Sequence, residues 1–253
     1  MVASDPDTVA GMRRIGALIA AALAHSRAAV APGVSTGELD RAAAAFLRAE
    51  GARSGPILTY DYPGFICVSV DDQVVHGIPG DRRLRAGQLV TLDIAAELDG
   101  FHADAATTVP VGPVSPAAQR LMAATHAALA AGIRAAQPGA SLRDIGAAVE
   151  RVSTARGFTV FRDLTGHGIG TEMHEDPTVY NFPFEGPEGD QILREGMVFT
   201  IEPMLGAGGE ELVQDRDGWT MRTRDGSLSA HEEHTIIVGE GGPVVLTAPP
   251  EGD

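Results

Sequence analysis

Asp93 and Asp104 flank an Asp99-Gly100 step set between two β-prone runs. Asp-Gly between such runs is a strong signal for a two-residue hairpin turn. With those two residues as the turn, Leu98 faces Phe101 and Ala95 faces Asp104, so Asp93 becomes a diagonal neighbour of Asp104 on the same face. Such neighbours stand about 7–8 Å apart, within reach of converging side chains. Two carboxylates converging on a half-buried sheet are costly unless they share a proton or a cation. The alternative is a pair turned out onto a solvated face.

Further donors follow in the second half of the chain. Gly166-His167-Gly168-Ile169-Gly170 sets a histidine among glycines that allow close backbone approach. His174 lies in Met173-His174-Glu175-Asp176-Pro177, and Glu202 lies in an apolar strand, Thr200-Ile201-Glu202-Pro203-Met204, that proline ends. The run Ser229-Ala230-His231-Glu232-Glu233-His234-Thr235-Ile236-Ile237-Val238 carries another acid into a β-prone segment. Under strict alternation Glu233 shares a face with Thr235, and Glu232 shares the other with His234; the pattern does not choose between the two glutamates. Each histidine alone reads as a polar residue with a backbone partner. Together, four carboxylates and an imidazole suit a pair of first-row divalent ions such as cobalt, manganese, iron or zinc. A water held between two such ions yields hydroxide near neutral pH, a hydrolytic nucleophile made without serine or cysteine.

These residues need elements to hold them, and the sequence supplies two similar sets. Val9, Met12, Ile15, Ile19 and Leu23 have helical spacing, which Pro32-Gly33 breaks; Ser35 with Glu38 then opens a second helix that Gly51 closes. After Ser115-Pro116 a long Ala-rich helix runs to Pro138-Gly139, and Ser141 with Asp144 opens another that ends at Gly157. Pro32 and Pro138, Gly33 and Gly139, Ser35 and Ser141, and Gly51 and Gly157 are each 106 residues apart. The segment Leu84 to Asp93 also resembles Leu193 to Glu202, so each matched strand ends on a carboxylate. The reading is of two related α/β halves, about 6–112 and 115–246, joined by a linker around Gly112 to Ser115. A pseudo-twofold axis between them would bring Asp93 and Glu202 together.

Composition narrows the alternatives. The chain has 253 residues, a net charge of −15 and no lysine, which excludes Schiff-base chemistry and a lysine-dependent phosphate loop. It also argues against direct nucleic-acid binding, which needs a concentrated basic footprint. No apolar run reaches membrane-spanning length, and the N-terminus shows no basic region ahead of an apolar core. The single cysteine, Cys67, rules out an internal disulfide framework and fits a reducing cytoplasm. A cytoplasmic monomer is expected.

At the residues quoted, the chain resembles the bacterial type I methionine aminopeptidases, metallopeptidases of the pita-bread fold. The resemblance runs from about Pro6 to Val245. It rests on the segments Pro32 to Asp40, His76-Gly77-Ile78-Pro79, Asp93 through Asp104, Gly166 through His174, Phe199 through Met204, and Glu233-His234-Thr235, in order and spacing. It implies an α+β fold in one catalytic domain over 1–253, with a central curved antiparallel sheet backed by helices and 247–253 as a flexible tail. It implies two divalent ions, with Asp93 and Asp104 as ligands, Asp104 and Glu233 bridging, and His167 and Glu202 on the second ion. Glu233 is thereby preferred over Glu232. It further implies that His76 and His174 contact the substrate, His174 at the scissile carbonyl, and that Glu202 shuttles the proton. Tyr62, Cys67, His76, Met173 and Trp219 would form the pocket for a methionine side chain. The substrates implied are nascent polypeptide N-termini and Met-starting peptides with a small second residue, with ribosome contact implied by that task.

Three positions depart from the family pattern: Thr59 and Met173 stand where aromatics are common, and Ala95 where threonine is frequent. Two other readings compete. One is an Xaa-Pro aminopeptidase or prolidase of the same fold, although those usually carry a large extra N-terminal domain. The other is a catalytically inactive binding module, although such proteins typically lose ligands and all five are present here.

Overall fold

The computed structural model describes residues 1–249. Two helices, α1 (Pro6–Ala28) and α2 (Thr36–Ala49), come first, followed by β1 (Arg53–Ser54), the short helix α3 (Gly55–Tyr60), β2 (Cys67–Val70) and β3 (Gln73–Val75). A long hairpin of β4 (Leu89–Leu98) and β5 (Phe101–Pro110) precedes α4 (Pro116–Ala135) and α5 (Leu142–Ala155). Then come β6 (Thr159–Val160), β7 (Thr165–Gly168), β8 (Glu175–Tyr180), β9 (Val198–Ile201) and β10 (Met204–Gly206). The described chain closes with β11 (Leu212–Gln214), β12 (Met221–Thr223), β13 (Ser229–His231), β14 (His234–Gly239) and β15 (Gly242–Val245).

The segments that are punctuated alike in the sequence adopt alike local geometry. Ser35 and Ser141 each cap a helix with a reciprocal capping box, to Glu38 and Asp144 respectively. Gly33 and Gly139 have φ values of 92° and 86°, a conformation open mainly to glycine. Their N–H groups donate to Leu84 and Leu193 at 2.8 and 2.9 Å, which clamps each Pro-Gly turn to the chain leading into a matched strand. The helices bury the faces their spacing predicts: Met12, Ile15 and Ile19 of α1 are fully buried. Ile15 and Ile19 join Leu39 and Ile94 in one core cluster, while Leu129, Ile145, Phe199 and Ile236 form part of another between α4, α5 and the β9–β14 sheet.

All sheet pairings are antiparallel. The β4–β5 register pairs Leu98 with Phe101 and Ala95 with Asp104, as counted from the turn. Asp99 and Gly100 have φ values of 53° and 88°, both positive as a type I′ turn requires. The five-stranded sheet runs β15-β14-β9-β7-β8. It meets the β4–β5 hairpin along a seam of hydrogen bonds, two through the Thr235 hydroxyl and one between backbones. Asp104 N–H donates to Thr235 Oγ1 at 3.0 Å, the Thr235 hydroxyl donates to Asp104 O at 2.8 Å, and Glu233 N–H donates to Ala106 O at 2.9 Å.

The strand expected to carry Glu202 up to Pro203 ends before that glutamate, and the β-prone run 229–238 is interrupted. β9 stops at Ile201, and after Glu202-Pro203 the chain resumes as β10 in another sheet; opposite it, β13 stops at His231 and β14 starts at His234. The breaks face each other, since Ile201 pairs with His234 and Met204 with His231. Both carboxylates therefore sit where a strand pair switches sheets, and Pro203 marks one side because it lacks a ladder donor. The expected tail also begins later than position 247. Thr247 is buried, bonds His234 Nδ1 and receives the Thr235 N–H, whereas residues 250–253 of that tail lie outside the described residues.

Because both capping boxes satisfy helix N–H groups in the same way, Ser35→Ala and Ser141→Ala should each lower the unfolding free energy by about 1 kcal/mol. Urea denaturation of the two variants checks this; unchanged midpoints in both would contradict it.

Candidate metal centre

Asp93 projects from β4 and Asp104 from β5, while His167 sits on β7. Glu202 and Glu233 come from the two facing strand breaks. All five line one cleft of about 450 Å³, together with His76, His174, Tyr62, Cys67, Met173 and Trp219. Every site residue named from the sequence is therefore brought to one cavity. The structure separates the two adjacent glutamates. Glu233 opens into this cleft, whereas Glu232 lines a second cavity of about 680 Å³ beside Arg27, His126 and His234. There its carboxylate accepts bonds from the Thr107 hydroxyl at 3.1 Å and the Thr108 N–H at 3.2 Å.

Local sequence explains the placement of the donors. A Cβ on Gly166 would come within 2.7 Å of Thr200 O, and one on Gly168 within 2.1 Å of Asp176 O, so His167 must lie between glycines. The His167 backbone N–H donates to Thr200 Oγ1 at 3.0 Å, and its Nδ1 lies 2.9 Å from Gly168 O. A proton on Nδ1 donates to that carbonyl and leaves the Nε2 lone pair facing the cleft. The Thr200 hydroxyl in turn donates to Glu202 Oε1 at 2.7 Å. Asn181, buried behind the break, donates to the Glu202 carbonyl at 3.1 Å and holds the non-helical, non-strand backbone there.

The electrostatics are those of anions crowded out of water. Burial raises the Asp93 carboxyl to about 6 and the Glu202 carboxyl to about 8. Burial also raises Asp104 and Glu233 well above the usual carboxylate range, and each is pushed further by its acidic neighbours. Burial lowers His167 and His231 to about 3, so neither imidazole offers a positive charge to offset them. Asp104 Oδ1 and Glu233 Oε1 are buried without any hydrogen-bond partner. Carboxylates left unpaired in such a site are hard donors suited to divalent cations, and the imidazoles are kept in the neutral form that ligates. The residues present fit a metal centre.

Around these donors lie groups that can hold a substrate. His76 and His174 stand at the open side of the cleft, and its walls depress both imidazoles below the ordinary histidine range. His76 has φ of 57°, an uncommon conformation for a non-glycine residue that turns its side chain toward the cavity it lines. The buried Tyr62 hydroxyl donates to Gly77 O at 2.8 Å, its ring meets Trp219 edge-on at 5.1 Å, and Met173 is buried alongside. Burial raises the Cys67 thiol, so it behaves as a small neutral wall residue.

Among the lining residues that the sequence did not single out, Tyr60 and His231 carry groups that bear on the site's chemistry. Tyr60, the last residue of α3, hydrogen-bonds His174 Nδ1 through its hydroxyl. No local pattern announces a contact between residues so far apart in the chain. His231 does have a signal, since it is two residues from Glu233 and shares its face.

Fold and site together define a class, the metal-dependent peptidases. The sequence model for metallopeptidase family M24 matches residues 10–240. A methionine aminopeptidase of Synechocystis sp. is 44% identical over 93% of this chain and 93% of its own. The crystal structure of methionine aminopeptidase from Rickettsia prowazekii superposes with a TM-score of 0.93 at 38% identity, covering 98% of this chain and 100% of that one. Prolidase from Pyrococcus furiosus shares the fold at 19% identity and a TM-score of 0.80, but this chain covers only 66% of it. The chain belongs to metallopeptidase family M24, within its bacterial methionine aminopeptidase branch, and its α+β architecture is the pita-bread fold.

The pKa shifts predict how the metal-free protein responds to pH. Carboxylates raised in the folded state hold protons that the unfolded chain has released, so they stabilise less as pH rises from about 4.5 toward 8. The depressed histidines act in the opposite sense, but only below their unfolded value of about 6.5. Between pH 6.5 and 8 the carboxylates alone set the slope. The urea midpoint of metal-stripped protein should therefore fall across that window, and added divalent ion should raise it more at pH 8 than at pH 6.5. A midpoint that is flat or rising with pH would contradict the cluster as described.

Proposed function

We propose that this chain removes the N-terminal methionine from peptides and nascent proteins whose second residue is small, by metal-dependent hydrolysis of the first peptide bond. The observation that carries the reading is the convergence of Asp93, Asp104, His167, Glu202 and Glu233 on one cleft whose adjoining wall is Tyr62, Cys67, Met173 and Trp219. In this reading those five residues would hold two divalent ions. When bound, the ions would supply an acidified water as nucleophile and a Lewis acid for the scissile carbonyl.

The remaining work falls to the side chains. The apolar and aromatic wall takes the methionine thioether chain, which burial and sulfur–aromatic contact favour. His174, whose ring meets that of His167 edge-on at 4.1 Å, would donate from Nε2 to the carbonyl oxygen as negative charge develops there. His76 would position the substrate backbone. Burial raises the Glu202 carboxyl to about 8, and Glu202 sits beside His167 at 3.5 Å; it would take the nucleophile's proton and return it to the leaving amine. No helix of the described residues is long and apolar enough to cross a membrane, and the proposed setting is the cytoplasm, where nascent termini emerge from ribosomes. We take the working form to be a monomer.

A Met-Ala-Ser peptide should release methionine only with divalent metal present, and an Xaa-Pro substrate should be cut far more slowly. Preferential Xaa-Pro cleavage would reassign the enzyme to the prolidase type. Asp104→Ala and His167→Ala should each lose at least about 10³-fold in kcat/KM, the scale of several kcal/mol of metal assistance. His174→Ala should lower kcat by roughly 10²–10³-fold, the usual cost of one oxyanion donor, with a smaller effect on KM.

A further inference from the structure

One imidazole in the cleft belongs neither to the five-residue ligand set nor to the pair, His76 and His174, assigned to the substrate. His231 ends β13 opposite Met204, and its backbone is fixed to β5 on both sides: its N–H donates to Thr108 Oγ1 at 2.8 Å, and its carbonyl accepts the Thr108 hydroxyl at 2.9 Å. That backbone leaves the ring little choice of direction. Its side chain is 2% exposed and lies on the floor of the cleft, with Nε2 3.9 Å from Glu202 Oε2 and 3.8 Å from Glu233 Oε2. Neither ring nitrogen has a hydrogen-bond partner.

Those distances are informative. They exceed the roughly 2.7–3.2 Å of a hydrogen bond, so the ring is not simply bonded to its carboxylate neighbours. They fall within the range open to donors around a shared cation: octahedral donors about 2.1 Å from one ion stand roughly 3.0 Å apart when adjacent and roughly 4.2 Å when opposite. Ligand atoms of Glu202, His231 and Glu233 all lie within 4.8 Å of one another, and so do those of Asp104, His167 and Glu233. The two triads share Glu233, and each contains one imidazole. Leaving both nitrogens of a buried imidazole unpaired is costly, and a cation on Nε2 would convert one of them into a ligand.

We propose that His231 is a sixth donor of the metal centre, binding through Nε2 the ion held between Glu202 and Glu233. This rests on the metal-centre reading above and extends it. A second imidazole adds nitrogen to an otherwise oxygen-rich set and shifts its preference toward ions such as iron and zinc, relative to manganese.

Cobalt(II)-loaded protein tests this by proton NMR, because an imidazole bound to that ion shows its ring N–H as a strongly shifted, solvent-exchangeable signal. The parent should show two such signals, from His167 and His231, and His231→Ala should keep only one. His231→Gln should bind zinc at least about tenfold more weakly, with a smaller loss for manganese. One shifted signal in the parent, retained in His231→Ala, would overturn the role of His231 while leaving the metal centre standing. Failure of the parent to take up cobalt would overturn both. Counting signals in the parent keeps the test independent of whether either variant folds.

Discussion

Four carboxylates, Asp93, Asp104, Glu202 and Glu233, face one largely buried cleft whose walls carry no arginine among the described residues, in a chain with no lysine at all. Coulomb repulsion and lost hydration both act against that arrangement, and the raised carboxyl pKa values register the opposition. Such a cluster is stable only with protons or cations among the oxygens. Protons would leave it chemically idle near neutral pH, whereas divalent ions would make it a hydrolytic centre. The rest of the architecture is arranged so that the anions cannot move apart.

That constraint explains where the chain is regular and where it breaks. Asp93 and Asp104 share one face of a long hairpin, and Asp104 is tied at both its N–H and its carbonyl to Thr235 across the seam. The registers on the two sides of the breaks agree, Ile201 with His234 and Met204 with His231, which sets Glu202 opposite Glu233 on one face. The paired breaks at Glu202-Pro203 and Glu232-Glu233 let two strands change sheets together and aim both carboxylates inward. Thr200, His167 and Asn181 then fix the orientation around Glu202 through hydrogen bonds. Two triads that share Glu233 are what such a junction leaves behind.

How much of this was legible in the sequence depends on the range of each interaction. The hairpin register followed from Asp99-Gly100 because turn chemistry and alternation act over a few residues, and the count placed Asp93 and Asp104 correctly. The helix starts at Ser35, Ser115 and Ser141 were legible for the same reason. The choice of Glu233 over Glu232 was not, since alternation puts the two on opposite faces but only the tertiary junction decides which face turns to the cleft. Resemblance to the family supplied that choice. Tyr60 was missed because its contact with His174 depends on how α3 meets a distant strand, and Thr247 was misread as tail because its burial depends on bonds to β14. His231 was within reach of the alternation rule, since it lies two residues from Glu233 on the same face.

We propose that this cluster holds a pair of divalent ions. Equilibrium dialysis of metal-stripped protein against cobalt(II), followed by metal analysis, tests it most directly. The account predicts saturation near two ions per chain, falling by at least one in Asp104→Ala. Binding that never exceeds a small fraction of an ion per chain, or a stoichiometry indifferent to Asp104, would contradict it.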